Sequence, residues 1–187
     1  MSEIVIISGS PNAASRLNGM IDFVNKQLED NGFSTKTITV VSLPAEDLVH
    51  SRFGSPAIVE ANKLVEEATA VIIASPVYKA SYTGVLKSYI DLLPQKGFEG
   101  KLIAPLFIGG SLAHLLSIDY SLKPVLSTMG AKHYVSSVYA TDSQITRIQD
   151  GTNETKFDIH DDLKERLTSA VQELIQELKL RKQFVQG

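Results

Sequence analysis

The chain has no cysteine and no tryptophan. The first absence removes disulfides, thiolate nucleophiles and cysteine-ligated metal sites. An excess of one charge is missing as well, since 18 Lys and Arg face 21 Asp and Glu for a net charge of −3. That near balance offers no basic footprint for nucleic acid or an anionic membrane surface. The apolar runs fall short of the ~20 residues that span a bilayer. The first run also lacks a basic stretch ahead of it, so no signal peptide is expected. His50, His114, His133 and His160 are scattered without metal-ligand spacing, and no metal site is expected. Neither GxxxxGK[ST] nor GxGxxG is present, which excludes a nucleoside-triphosphate loop and the dinucleotide fingerprint. No GxSxG elbow accompanies Ser10 or Ser15, so serine hydrolysis is not expected. What these absences leave is a cytoplasmic globular protein. Its 187 residues suit a single domain over 1–187, with 181–187 as a frayed tail.

What is present is an alternation of strand and helix patterns. Strands are expected at 3–7, 35–41, 70–74, 102–108 and 134–139. Three of them are almost wholly apolar, as strands covered on both faces should be. Pro105 counts against an unbroken fourth strand and predicts a bulge there. Helices are expected at 16–31, 55–68, 82–93, 111–129 and 160–181. In the last, Leu163, Leu167, Val171, Leu174 and Leu178 form one apolar stripe. The stretch 142–158 is polar and reads as an irregular excursion. The pattern predicts an α/β fold of the flavodoxin-like kind, a doubly wound five-stranded parallel sheet in the order 2-1-3-4-5. Ligands of such sheets sit beyond the carboxyl ends of the strands, beside strand 1.

Three loops meet there. The first, Ser8-Gly-Ser-Pro-Asn-Ala-Ala-Ser-Arg16, has tight-turning residues, hydroxyl donors and a helix N-terminus behind it. A phosphate monoester suits it better than a pyrophosphate, and FMN is a common cofactor that carries one. In the second, Pro76, Val77 and Tyr78 can offer backbone groups and an apolar face to a planar ring. In the third, Gly109, Gly110 and Ser111 let main chain approach the electron-rich pyrimidine edge of a flavin.

Ser8-Gly-Ser-Pro11 with Ser15-Arg16, the segment 75–93, the segment 109–124 and Asp142-Ser-Gln144 resemble the NADPH-dependent FMN reductase family. The resemblance runs from residue 4 to about residue 178. Within the family these segments are most similar to the FMN reductases that serve two-component alkanesulfonate monooxygenases. It implies hydride transfer from NADPH to FMN by alignment, with no catalytic acid or base. It also implies release of reduced flavin to a partner monooxygenase, and a homodimer or homotetramer. By position, Ser8, Ser10, Ser15 and Arg16 would hold the phosphate. Pro76, Val77 and Tyr78 would meet the ring, and Gly109, Gly110 and Ser111 its pyrimidine side. Asn12 departs from the Arg of many relatives, which bears on the preference between NADPH and NADH. The alternatives are a reductase that retains FMN and passes electrons to quinones, azo dyes or ferric chelates, and a flavodoxin-type carrier.

Pro124 lies inside the expected helix 111–129 and orphans the carbonyl of Tyr120. A bulge or kink is therefore expected at Tyr120. The resemblance implies a π-helix at this tyrosine, at a subunit interface near the flavin.

Overall fold

A computed structural model describes residues 4–148 and 155–186. Its centre is a parallel sheet built from β1 (Ile4–Ser8), β2 (Thr35–Thr39), β3 (Ala70–Tyr78) and β5 (Leu102–Gly109), with the short β6 (His133–Tyr134) and β7 (Val138–Thr141) beyond β5. The order β2-β1-β3-β5-β6 keeps the expected flavodoxin-like progression. Every residue of β1 and β5 is buried, because helices cover both sides.

Alternation sorts the strand side chains into two cores. Ile4, Ile6, Ile72 and Leu106 pack under α1 (Leu17–Asp30) and α6 (Asp161–Gln186). Val5, Ile7, Val71 and Ile73 pack under α3 (Pro56–Glu67), α4 (Gly84–Ile90) and α5 (Lys123–Thr128). A short α2 (Ala45–Val49) precedes α3. All five residues of the leucine-rich stripe on α6 are buried. No helix among the described residues is long and apolar enough to cross a membrane.

Several expectations are corrected. Pro105 produces no bulge in β5 and pairs in register with Ile73. Ile103, two residues earlier, accepts from the Val135 N–H, so the odd residues of β5 point their backbone groups to that side. The missing N–H of Pro105 faces the same neighbour, and there the expected strand 134–139 breaks into β6 and β7. Pairing on that side stops at Ile103 and resumes at Leu106.

The expected helix 111–129 is likewise in pieces: a 3₁₀ turn at Leu112–His114, a π-helix at Ile118–Leu122 and then α5. The expected break at Tyr120 takes the form of that π-helix, which runs directly into the first turn of α5 at Pro124. The polar stretch after 142 is not irregular throughout. It holds an antiparallel pair, β8 (Ile145–Ile148) and β9 (Lys156–Ile159), while 149–154 lie outside the described residues. α6 runs on to Gln186.

Candidate functional site

The loops after β1, β3 and β5 rise at one rim of the sheet, and one side chain ties two of them together. Thr83 caps the N-terminus of α4, accepting the Leu86 N–H at 3.1 Å. Its hydroxyl donates to the Gly9 carbonyl at 2.6 Å, and its own N–H donates to Ser75 Oγ at 3.1 Å. Gly9 is required by this closeness, since a Cβ there would stand 2.5 Å from Leu86 Cβ. Thr83 and Ser75 are both buried and were not singled out from the sequence. A Thr just ahead of a Gly-led helix is the capping signal that could have drawn attention to Thr83.

The loop from Gly9 to Arg16 is organised by Asn12. Its Oδ1 accepts the Ala14 N–H at 2.8 Å and its carbonyl accepts the Ser15 N–H at 3.1 Å. Ser10 Oγ donates to the same carbonyl at 3.0 Å. The position where a cation was looked for thus holds the turn together. Ser15 Oγ accepts from the Leu17 N–H at 3.2 Å, and Arg16 Nε donates to the Ile145 carbonyl at 2.8 Å. Three backbone N–H groups remain, on Ser10, Ala13 and Arg16, with no acceptor among the described residues. No acid stands in the first turn of α1. Hydroxyls, unpaired N–H groups and one guanidinium form a donor set that fits a phosphate.

The second loop is a hairpin. β3 extends past the expected residue 74 to Tyr78 and turns back into β4 (Ser81–Tyr82), Val77 pairing with Tyr82 and Tyr78 with Ser81. The two turn residues, Lys79 and Ala80, have φ of 51° and 64°. That turn type normally uses Asn-Gly, so two side-chained residues in the left-handed region store strain at the rim. Pro76 is buried, Val77 half-buried, and Tyr78 is 52% exposed, a large apolar face open to solvent.

At the third loop the two glycines differ. A Cβ on Gly109 would stand 2.2 Å from the Tyr139 hydroxyl, so protein already occupies that space. That hydroxyl donates to the Ser111 carbonyl at 2.8 Å and fixes the loop. Burial, with the Asp142 carboxylate adding, pushes the Tyr139 phenol up and keeps it a donor. Beside Gly110 nothing lies within 4 Å of a would-be Cβ, and Gly110 is exposed, as an approach edge for a planar ligand should be. The structure thus brings Ser8, Ser10, Ser15 and Arg16 to the first loop, Pro76 to Tyr78 to the second and Gly109 to Ser111 to the third. The donor-rich first loop and the open edge at Gly110 fit a phosphorylated flavin.

Tyr120 lies in the π-helix, where the Lys123 N–H donates to the Ile118 carbonyl five residues back. It is 79% exposed and lines a cleft of about 260 Å³ with Ala80, Leu116 and Ser117. Among the described residues no three His, Asp or Glu side chains gather as a metal site.

Residues 2–146 match the family model described as NADPH-dependent FMN reductase. A curated FMN reductase (NADPH) of Pseudomonas putida KT2440 is 42% identical over 76% of this chain and 72% of its own length. The FMN reductase (NADPH) of Escherichia coli K12 is 38% identical over 76% of this chain and 74% of its own. The crystal structure of an NADH:FMN oxidoreductase in its apo form superposes with a TM-score of 0.79 at 34% identity, covering 92% of this chain and 87% of that one.

Proposed function

We propose that this chain, which belongs to the NADPH-dependent FMN reductase family, performs its NAD(P)H-dependent reduction of FMN at the rim formed by the loops after β1, β3 and β5. When bound, FMN supplies the ring that accepts hydride from the pyridine nucleotide. The chain contributes placement. Ser10, Ser15 and Arg16 hold the phosphate together with the N–H groups of Ser10, Ala13 and Arg16, and buried Ser8 supports that loop from the end of β1. Pro76, Val77 and Tyr78 set the plane of the ring, and Gly110 and Ser111 offer N–H donors to its pyrimidine edge. Gly109 serves by letting Tyr139 brace that loop. No acid or base is needed, because alignment and water exclusion carry the chemistry.

The observation that supports this most is the trio of unpartnered N–H groups beside a single Arg in a loop free of acids. The test compares FMN with riboflavin, which lacks the phosphate. Arg16→Ala should weaken FMN binding tenfold or more in a fluorescence titration and leave riboflavin binding within about twofold. Equal losses for both flavins would remove the phosphate from the loop.

We further propose that the chain passes reduced flavin to a flavin-dependent monooxygenase, in cytoplasmic sulfonate sulfur acquisition, and works as a homodimer or homotetramer. The exposed Tyr120 on its π-helix, with Leu112, Leu115 and Leu116 also exposed nearby, supports an interface at the rim. Deleting Tyr120 should raise flavin retention or slow transfer to a monooxygenase. Unchanged FMN affinity and turnover would sink that role.

A further inference from the structure

One side of β2 does not follow the apolar rule that the rest of the sheet obeys. Thr35, Thr37 and Thr39 alternate with Lys36 and Ile38, so three hydroxyls share one side while Ile38 packs in the opposite core. Facing them, α1 presents Asn18, Asp22 and Asn25 at spacings that place all three on one flank. Between the two lies a cleft of about 770 Å³, within the size range of small-molecule sites.

The cleft has defined ends. Thr35 Oγ1 donates to Asn25 Oδ1 and closes the bottom. Ala13 and Ala14 of the first rim loop form the mouth, and Thr155 and Phe157 beside and within β9 form the roof. Phe157 sits so tightly over α1 that a Cβ on Gly19 would stand 2.7 Å from its Cβ. The hydroxyls of Thr37 and Thr39 and the Asp22 carboxylate have no hydrogen bond or ion pair among the described residues. Burial pushes the Asp22 carboxyl up, with no cation opposing the shift. Hydroxyls and a lone carboxylate thus line an open cleft on the exposed side of an edge strand, where they are free to meet a ligand.

We propose that this cleft binds the adenosine end of a dinucleotide, its ribose carrying a free 2′-hydroxyl against Asp22, Thr37 and Thr39. A carboxylate accepts both hydroxyls of a vicinal diol and repels a 2′-phosphate. Ala13, Ala14, Ile21 and Phe157 supply an apolar wall for the purine. The placement rests on reading the first rim loop as the FMN phosphate site. A group continuing beyond that phosphate enters the cleft at Ala13 and Ala14. FAD, which is FMN extended through a second phosphate to adenosine, carries such an end.

Adenosine itself is the first probe, titrated into FMN-free and FMN-saturated protein while the methyl resonances of Ala13, Ala14 and Ile21 are followed. Saturable shifts are expected at these methyls, with the Asp22→Asn, Thr39→Val double variant binding about tenfold more weakly. Thr39→Val alone, a conservative exchange at an exposed strand position, keeps the comparison interpretable if the double variant misfolds; about threefold is expected there. No shift at about 10 mM adenosine, or unchanged affinity in both variants, overturns the proposal.

One further arm ties the adenosine to the flavin. FAD binds several-fold tighter than FMN and the variants erase the difference, while the KM values for NADH and NADPH stay put. Absence of an FAD preference also overturns the proposal. A protein that binds adenosine in the cleft but not FMN would uphold the cleft and break the phosphate-loop reading.

Discussion

The two faces of the sheet are finished to different degrees. On one, α1 and α6 are continuous, and α6 lays an unbroken apolar stripe across the strands. On the other, α3 is continuous over twelve residues, but α4 has seven, α5 six, and a π-helix precedes α5. Among the described residues, the buried side-chain atoms without partners, Asn62 Oδ1, Tyr89 OH, Ser117 Oγ and Tyr134 OH, all lie on this second side. So do the exposed Leu112, Leu115, Leu116 and Tyr120 of the broken segment. Long helices bury a stripe and satisfy their own backbone. Short, broken ones leave polar and apolar groups for something else to meet, and the proposed flavin interface is on that side.

The contrast can be broken by substitution. Leu167→Ala on the continuous face should cost the most, about 3 kcal/mol in urea unfolding, because Leu167 is fully buried and the cavity cannot collapse against a long helix. A loss below about 1 kcal/mol would mean that this face is looser than its geometry implies. At the rim, Gly109→Ala forces the Tyr139 hydroxyl aside and should cost about 1–3 kcal/mol, with weakened FMN binding. On the broken face, Tyr89→Phe removes a buried hydroxyl that has no partner among the described residues and should stabilise by up to about 1 kcal/mol. Destabilisation on that substitution would show that the hydroxyl has a partner in solution.

The smallest effect concerns Asp22, which burial raises. Its folded form keeps the proton to a higher pH than the unfolded chain does. Stability from this group is therefore full in acid and is lost as pH rises through its raised pKa. Asp22→Asn cannot lose a proton, so it should gain on the parent between the ordinary carboxylate range and neutrality. The gain should stay under about 1 kcal/mol because solvent screens the half-exposed group. Melting temperatures of both proteins across that pH range check it, and a constant gap would refute it.

Much of this architecture was legible in the residues. The apolar runs of β1, β3 and β5 and the leucine stripe of α6 carry their periods openly, and Pro124 announced the break at Tyr120. The elements that were hidden depend on distant partners. The β8–β9 strands are only four residues each, too short for a period to show, and the pair's seat is Gly19, far away in the chain. The hairpin at Lys79-Ala80 lacks the Asn-Gly that would have marked it. Asn12 reads as a missing cation until its Oδ1 is seen on the Ala14 N–H. At the rim, the residue types were readable, but the bracing by Thr83 and Tyr139 was not, since each acts on a loop from another strand.

Pro105 has an effect beyond its own strand. Because Pro105 itself offers no N–H on that side of β5, the sheet ends in a two-residue and a four-residue fragment with an unpaired interval between them. A second molecule approaching that margin finds no continuous row of donors and acceptors to extend. The margin is protected from the strand-to-strand accretion that begins many aggregates. At this margin the proposed association between copies falls to side chains, where a specific partner can be told from a chance one.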